Sequence, residues 1–295
     1  MRFISFIAAL FYLTSCTTYS KLQYLQGDID STKYSQFNVP EQRAQKGDQL
    51  IINVFSDNAA STIGDTLTSI ADQSHESIEH IIIDGASSDH TSEIVSRFPH
   101  VSKYVSEKDK GIYHAMNKGI EMASGDVVGI LNADDLYSHR DVLHNVAELF
   151  NDSSVDAVYA DLNFVDSIDT HKVERKWRSG GYKISDFYWG WMPPHPTFFV
   201  RRSVYLNLGM FNTVLNSSAD YELMLRLLLK HEIKAAYLQD VIVNMRQGGK
   251  STASIKNRLI ANQEDRMAWA MNGLKPHYFT LILKPLRKIK QFINL

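Results

Sequence analysis

The chain has 295 residues, with 31 lysines and arginines against 33 aspartates and glutamates, and 44% of it is hydrophobic. That length supplies a sizeable core, and the near-zero charge balance excludes nucleic acid as a partner selected by bulk charge. One cysteine, Cys16, excludes an intramolecular disulfide framework and a cysteine-rich zinc site.

Met1-Arg2 followed by the apolar run 3–12 fits a signal-peptide core too short to span a bilayer, or a buried N-terminal element with an incidental cysteine. Leu13-Thr14-Ser15-Cys16 is similar to the lipobox of bacterial lipoproteins, and 17–43 is a polar arm with little periodicity. Together with Lys46-Gly47-Asp48-Gln49-Leu50, residues 1–58 resemble the N-terminus of an outer-membrane polysaccharide export lipoprotein, which is not an enzyme.

A different organisation starts at residue 50. A strand at 50–55 precedes a helix at 61–73, whose apolar residues Ile63, Leu67 and Ile70 share one face. Next come a strand at 78–83 closing on Asp84-Gly85, a helix at 89–98, a strand at 101–105 and a helix at 111–122. The apolar strand 127–131 ends abruptly in Asn132-Ala133-Asp134-Asp135. This alternation implies βαβ units and a mostly parallel sheet whose ligand edge lies at the strands' carboxyl ends. Two carboxylates at that edge either hold a divalent ion against a diphosphate or form an Asx turn before the helix starting near 138–141.

Three stretches make the reading specific: Ile83-Asp84-Gly85-Ala86-Ser87-Ser88-Asp89, then Asp109-Lys110-Gly111-Ile112-Tyr113-His114-Ala115-Met116-Asn117-Lys118-Gly119, then Asn132-Ala133-Asp134-Asp135. In this order they resemble the nucleotide-sugar half of a family 2 glycosyltransferase with the GT-A fold, over about 50–249. The resemblance implies an α/β, Rossmann-like sheet flanked by helices, with a helical C-terminal tail. The implied reaction moves a sugar from a nucleotide-diphosphate donor to an acceptor hydroxyl, with inversion, in cell-surface polysaccharide biosynthesis. It also assigns roles. Asp84 meets the nucleobase, although Gly85 stands where the family often has a second aspartate. Asp109, Lys110 and Asn117 lie on the donor side, where Lys110 or Lys118 balances phosphate charge unless it belongs to a solvated helix face. Asp134 reaches the ribose, and Asp135 with Asp134 holds Mg2+ or Mn2+.

The second half supplies the acceptor side. Tyr188, Trp189 and Trp191 form either a stacking floor for a sugar or lipid acceptor or part of the core. His195 is rigidly placed between Pro194 and Pro196. Asp220 sits at or just before the start of a helix over 218–227, where it is a helix cap or, by the resemblance, the catalytic base. Ala219 replaces the glutamate the family more often has there, and Glu222 is the fallback base. Arg246, after the strand 241–245, resembles the family's late arginine that closes over the diphosphate; a mobile turn is the alternative.

A helix over 258–271 leads to a tail from Lys275 carrying Lys284, Arg287, Lys288 and Lys290 among apolar residues. It is expected to lie on an anionic membrane surface, where a lipid-linked acceptor is met, or to pack back on the domain. The expected division is therefore a leader and arm at 1–49, a transferase domain at 50–255 and a tail at 256–295. The chemistry belongs at the cytoplasmic face of the inner membrane. The lipobox conflicts with that, so a fused or misassigned N-terminus is expected, with its junction near Asp57-Asn58.

Overall fold

The structure, a computed structural model, describes the backbone of residues 49–54, 59–248, 255–288 and 291, and side chains from residue 59 onward except at 255–259. The leader, Cys16, the polar arm, the expected junction, and Gly249 of the Gly-Gly loop lie outside the described residues. The described residues belong to one compact unit, Gln36–Leu295.

The first half runs β1 (Gln49–Val54), α1 (Ile63–Ala71), β2 (Ile78–Asp84), α2 (Thr91–Val95), β3 (Val101–Ser106), α3 (Ile112–Met122) and β4 (Val127–Asn132). β1 pairs in parallel with β2 and β4, and β2 with β3. β2 is buried almost throughout, as a parallel strand covered on both faces must be. Ile63, Leu67 and Ile70 are buried on α1 as their spacing predicts, and Ile63 and Leu67 join Ile82, Val95 and Val101 in one core cluster.

The second half comprises β5 (Leu136–Tyr137), α4 (Val142–Phe150), β6 (Ala157–Val165), β7 (Val173–Trp177), β8 (Phe199–Arg201), α5 (Arg202–Leu208), α6 (Ala219–Met224), β9 (Ala235–Arg246), α7 (Ile255–Met271) and α8 (Thr280–Arg287). The sheet order is β3-β2-β1-β4-β8-β6-β9-β5, with β7 on β6. β8 runs antiparallel to both β4 and β6, β7 to β6, and β5 to β9; only β6 and β9 are parallel here. The expectation of a mostly parallel sheet thus holds for the first half, and the second half is mixed. The link between β6 and β7 is too short for a helical crossover, so those strands close as a hairpin. Gly129 in β4 admits the Phe199 ring of β8, which would lie 2.2 Å from a Cβ there. The larger core cluster packs Val142, Leu143, Val146 and Phe150 of α4 against Val158, Leu162 and Val243.

The tail is seated on this domain. Thr280 Oγ1 donates to the Tyr188 carbonyl at 2.6 Å, and Lys284 Nζ binds both carboxylate oxygens of Asp265 at 2.8 Å. Gly190, at φ 78°, allows the contact, because a Cβ there would fall 2.4 Å from the Lys284 backbone nitrogen. The outer side of α8 still exposes Ile282 and Leu286. Among the described residues no helix is long and apolar enough to cross a membrane.

Candidate active site

Parallel pairing brings the carboxyl ends of β2 and β4 to one sheet edge, where the chain changes direction into loops. Asp84 ends β2 and is buried. It accepts from the Ser87 hydroxyl at 2.6 Å, the Ser106 hydroxyl at 2.5 Å and the Tyr104 hydroxyl at 3.2 Å, and from the Ser87 backbone N–H. These bonds fix the carboxylate and the turn after it.

Asp134 and Asp135 lie between β4 and β5. Because β5 pairs with β9, Leu136 opposite Asn244, the end of β9 brings Arg246 beside them. Arg246 is buried; its guanidinium binds Asp65 at 2.6 Å and donates to the Asp134 carbonyl at 3.4 Å. Burial pushes the Asp134 carboxyl up, against the pull of Arg246. Asp135 is fully buried, and burial followed by the charge of Asp134 pushes it well above the usual carboxylate range. Asn132 donates to its Oδ2 at 3.1 Å, while its Oδ1 and the Asn132 Oδ1 are buried without hydrogen-bond partners.

Those orphaned oxygens test the fit of a divalent ion. No group of three His, Cys, Asp or Glu side chains converges on one point among the described residues. A cation would therefore rest on one or two carboxylates and the ligand's own oxygens, as Mg2+ usually does beside phosphates. The orphaned oxygens of Asp135 and Asn132 are hard donors suited to such an ion, so the residues fit.

A second cluster is built around Asp220. The position capping α6 belongs to Ser218, and the amides of Asn216, Ser217 and Ser218 are taken by the Glu264 carboxylate of α7 at 2.7–3.1 Å. These bonds fix the approach to the helix, and Asp220, the second residue of α6, lies inside its first turn and is not its cap. Its Oδ1 instead accepts the Tyr113 hydroxyl of α3 at 3.2 Å. Tyr113 stacks on Phe211 at 5.6 Å, and Phe211 meets the edge of the His195 ring at 5.8 Å. Burial holds His195 below its ordinary value, with Asp220 pulling the other way, and its Nε2 is buried without a partner.

The comparisons with known proteins come down on one side. The profile described as "Glycosyl transferase family 2" matches residues 51–210. The chain belongs to that family. A "PGL/p-HBAD biosynthesis glycosyltransferase" of Mycobacterium bovis BCG is 25% identical over 206 residues, covering 68% of this chain and 78% of that protein. A glycosyltransferase of Nostoc without an assigned role is 30% identical over 117 residues, 38% of this chain and 36% of that one. Among solved structures, Staphylococcus aureus TarS 1–349 in complex with UDP has a TM-score of 0.56 at 16% identity, covering 82% of this chain and 72% of that one. A Pyrobaculum calidifontis mannosyltransferase in complex with GDP-Man and Mn2+ has a TM-score of 0.56 at 22% identity, covering 79% and 67%. The fold is that of GT-A glycosyltransferases, as expected. The family 2 match begins at residue 51, inside the stretch that resembles an export lipoprotein.

Within the family 2 enzyme, the expected residues separate into two groups. Asp84 lies at the same sheet edge as Asp134, Asp135 and Arg246, and Asp220 lies near His195. Asp109 is nearly buried and binds Lys118 at 2.5 Å and His114 at 3.1 Å, so its charge is paired with side chains of α3. Lys110 is exposed. Asn117 is better described as a brace than as a donor ligand, because its amide bonds both the N–H and the carbonyl of Phe211, at 2.9 and 2.8 Å. Trp191 is core: it is 5% exposed, stacks on Tyr182 at 4.5 Å and donates to the Ser179 carbonyl. Tyr188 packs on Trp269 and His277, leaving Trp189 as the exposed ring of that loop. Glu222, the fallback base, is buried in an ion pair with Arg226. Tyr113, Phe211 and Glu264 escaped the sequence reading. Tyr113 lies inside the quoted second motif, which was the available signal.

Proposed function

We propose that the chain transfers a sugar from a nucleotide-diphosphate donor to an acceptor hydroxyl with inversion, in cell-surface glycan synthesis, and that Asp220 is the general base. The observation that carries this reading is the arrangement of a carboxylate pair and a buried arginine at one sheet edge, with a separate carboxylate on α6 held by Tyr113 near His195. The relatives named for PGL/p-HBAD biosynthesis and the neighbours bound to UDP or GDP-Man support the setting and the donor class.

Asp84, locked by its three hydroxyl donors, holds the turn after β2 in place for the nucleobase. Arg246 supplies positive charge beside the carboxylate pair for the diphosphate. Asp135, assisted by Asp134 and Asn132, would hold Mg2+ or Mn2+. Bound there, the ion neutralises the charge that develops on the leaving diphosphate. Asp220 takes the proton from the acceptor hydroxyl as that oxygen attacks the anomeric carbon, and the Tyr113 hydroxyl orients the carboxylate. His195, kept neutral by burial, offers Nε2 to an acceptor hydroxyl. A screen of UDP- and GDP-linked sugars for nucleotide release in Mg2+ or Mn2+ tests the reading; no release from any donor and no donor binding would overturn it.

A further inference from the structure

A cavity of about 420 Å3 opens between β7, the turn at Gly190 and α8, and none of the residues lining it is acidic. That volume lies in the usual range for small-molecule sites, roughly 300–1,000 Å3, and is more than a bare inorganic anion fills. Its cations are Lys176, Arg178, Lys284, Arg287 and Lys288. Lys284 is neutralised by Asp265, and Arg178 lies 3.7 Å from Asp161. Lys176, Arg287 and Lys288 have no ion pair among the described residues. Desolvation at the wall, followed by the like charges of Lys284 and Arg175, pushes the Lys288 ammonium down, and the pull of Asp265 and Asp220 does not offset it. The wall therefore carries positive charge that the protein itself leaves unmatched.

The rest of the lining has the chemistry of a sugar site. Trp177 and Trp191 both line the cavity, and each is fixed from behind: Trp177 stacks on Phe164 with ring centroids 6.3 Å apart, and Trp191 on Tyr182 at 4.5 Å. An indole is a rigid apolar plate with a polar tip, against which the C–H face of a pyranose packs. Gln291 adds a side-chain oxygen that is buried without a partner at the same wall. Its amide accepts from a sugar hydroxyl or, turned over, donates to one. The exposed apolar side chains of α8, Ile282 and Leu286, take no part in the lining. The cavity also adjoins the proposed base. Lys284 Nζ lies 3.4 Å from the ring centre of Tyr221, the residue after Asp220, and Met192 of the lining is three residues before His195.

Resting on the proposed transferase reading, we infer that the acceptor is an acidic saccharide, and that this cavity binds the sugar residue carrying the negative charge. Lys176, Arg287 and Lys288 hold its carboxylate or phosphate by charge-assisted hydrogen bonds, and the indoles hold its ring. Fixing that residue sets which neighbouring hydroxyl reaches Asp220. A neutral saccharide of the same shape would leave the cations unmatched, so the charge selects the acceptor.

The test is equilibrium binding of matched saccharide pairs to the full chain, with excess UDP, GDP and Mg2+ filling the donor site. Short oligomers of glucuronate, galacturonate and mannuronate are each compared with their carboxyl-reduced neutral forms, and glucose 6-phosphate with glucose. Acetate and inorganic phosphate are the bare-anion probes. At least one charged sugar is expected to bind about tenfold or more tightly than its neutral partner and than either bare anion, and more weakly as salt rises. The uronate and phosphosugar arms distinguish a carboxylate from a phosphate. The double variant Arg287→Gln, Lys288→Gln should lose about tenfold or more of that affinity. Trp177→Leu should weaken the charged sugar and leave the bare anions unchanged, while the exposed Lys275→Gln changes neither. UDP and GDP binding, measured separately on each variant without sugars, reports the donor reading and should be unaltered. Charged sugars that bind no more tightly than their neutral partners or the bare anions, or an affinity unchanged in the double variant, would overturn the inference.

Discussion

Asp220→Asn separates a base from a structural carboxylate. The structure gives Asp220 one side-chain hydrogen bond, from Tyr113 at 3.2 Å to Oδ1, and the amides at the α6 entrance belong to Glu264. Asparagine keeps an oxygen for Tyr113 and nearly the same volume, so stability should change by less than about 1 kcal/mol. What disappears is the proton acceptor. General-base catalysis contributes about a hundredfold to ten-thousandfold, so the barrier should rise by about 2.7–5.5 kcal/mol. The assay is nucleotide release at saturating donor and acceptor, with donor KM and thermal midpoint taken on the same preparation. A fall confined to kcat, with donor KM and melting unchanged, is the expected result, because the lost interaction belongs to the transition state. Near-normal turnover would refute the assignment and move the base to His195, since Glu222 is occupied by Arg226.

EDTA should abolish donor-nucleotide binding measured by calorimetry, Mn2+ or Mg2+ should restore it, and Asp135→Asn should remove the metal dependence; unaltered binding in EDTA would sink the metal assignment. His80 in β2 is fully buried, with neither ring nitrogen hydrogen-bonded, and stacks on His100 at 5.0 Å. Burial, followed by the charge of His100, holds it well below its ordinary value of 6.5. The unfolded chain therefore binds a proton that the folded chain refuses. Its contribution is intact above pH 6.5 and should be lost on acidification below it, at up to about 1.4 kcal/mol per pH unit; denaturant titrations of His80→Leu should show a flatter acid limb. Glu264→Ala should lower unfolding free energy by about 1–3 kcal/mol by leaving the amides of Asn216, Ser217 and Ser218 short of an acceptor, and urea titration checks it.

The first half of the sheet was legible because its signals are local. α1 declares its buried face through Ile63, Leu67 and Ile70, and the apolar run of β4 breaks off at the carboxylates that define the site. The cluster around Asp220 depends on contacts between distant segments, which periodicity does not carry. Tyr113 meets Asp220 across 107 residues, and Asn117 reaches Phe211 across 94. β7 and β5 are short and only partly buried, so neither shows clean alternation, and the antiparallel turn of the second half went unread with them. Trp191 was ambiguous for a related reason: an aromatic in a glycine-containing loop has the same local sequence whether it lines a site or fills a core. Only its contacts with Tyr182 and Phe187 decide.

The replacement of the family's glutamate by Ala219 raises the question of what steadies Asp220. The answer lies further along the helix. Arg226 spends all five of its N–H donors, two on the carboxylate of Glu222 and three on the carbonyls of Leu208, Gly209 and Met210. Asn272 of the segment after α7 donates to the same Glu222 carboxylate at 3.1 Å. A buried pair of this kind gives little net stability, because desolvation offsets its attraction, but a fully satisfied one permits few alternative geometries. It ties α6 to the loop that carries Phe211, while Asn117 ties that loop to α3, which carries Tyr113. Tyr113 closes the circuit on Asp220. The carboxylate is therefore held by a ring of contacts through three segments, none of which involves the residue at position 219.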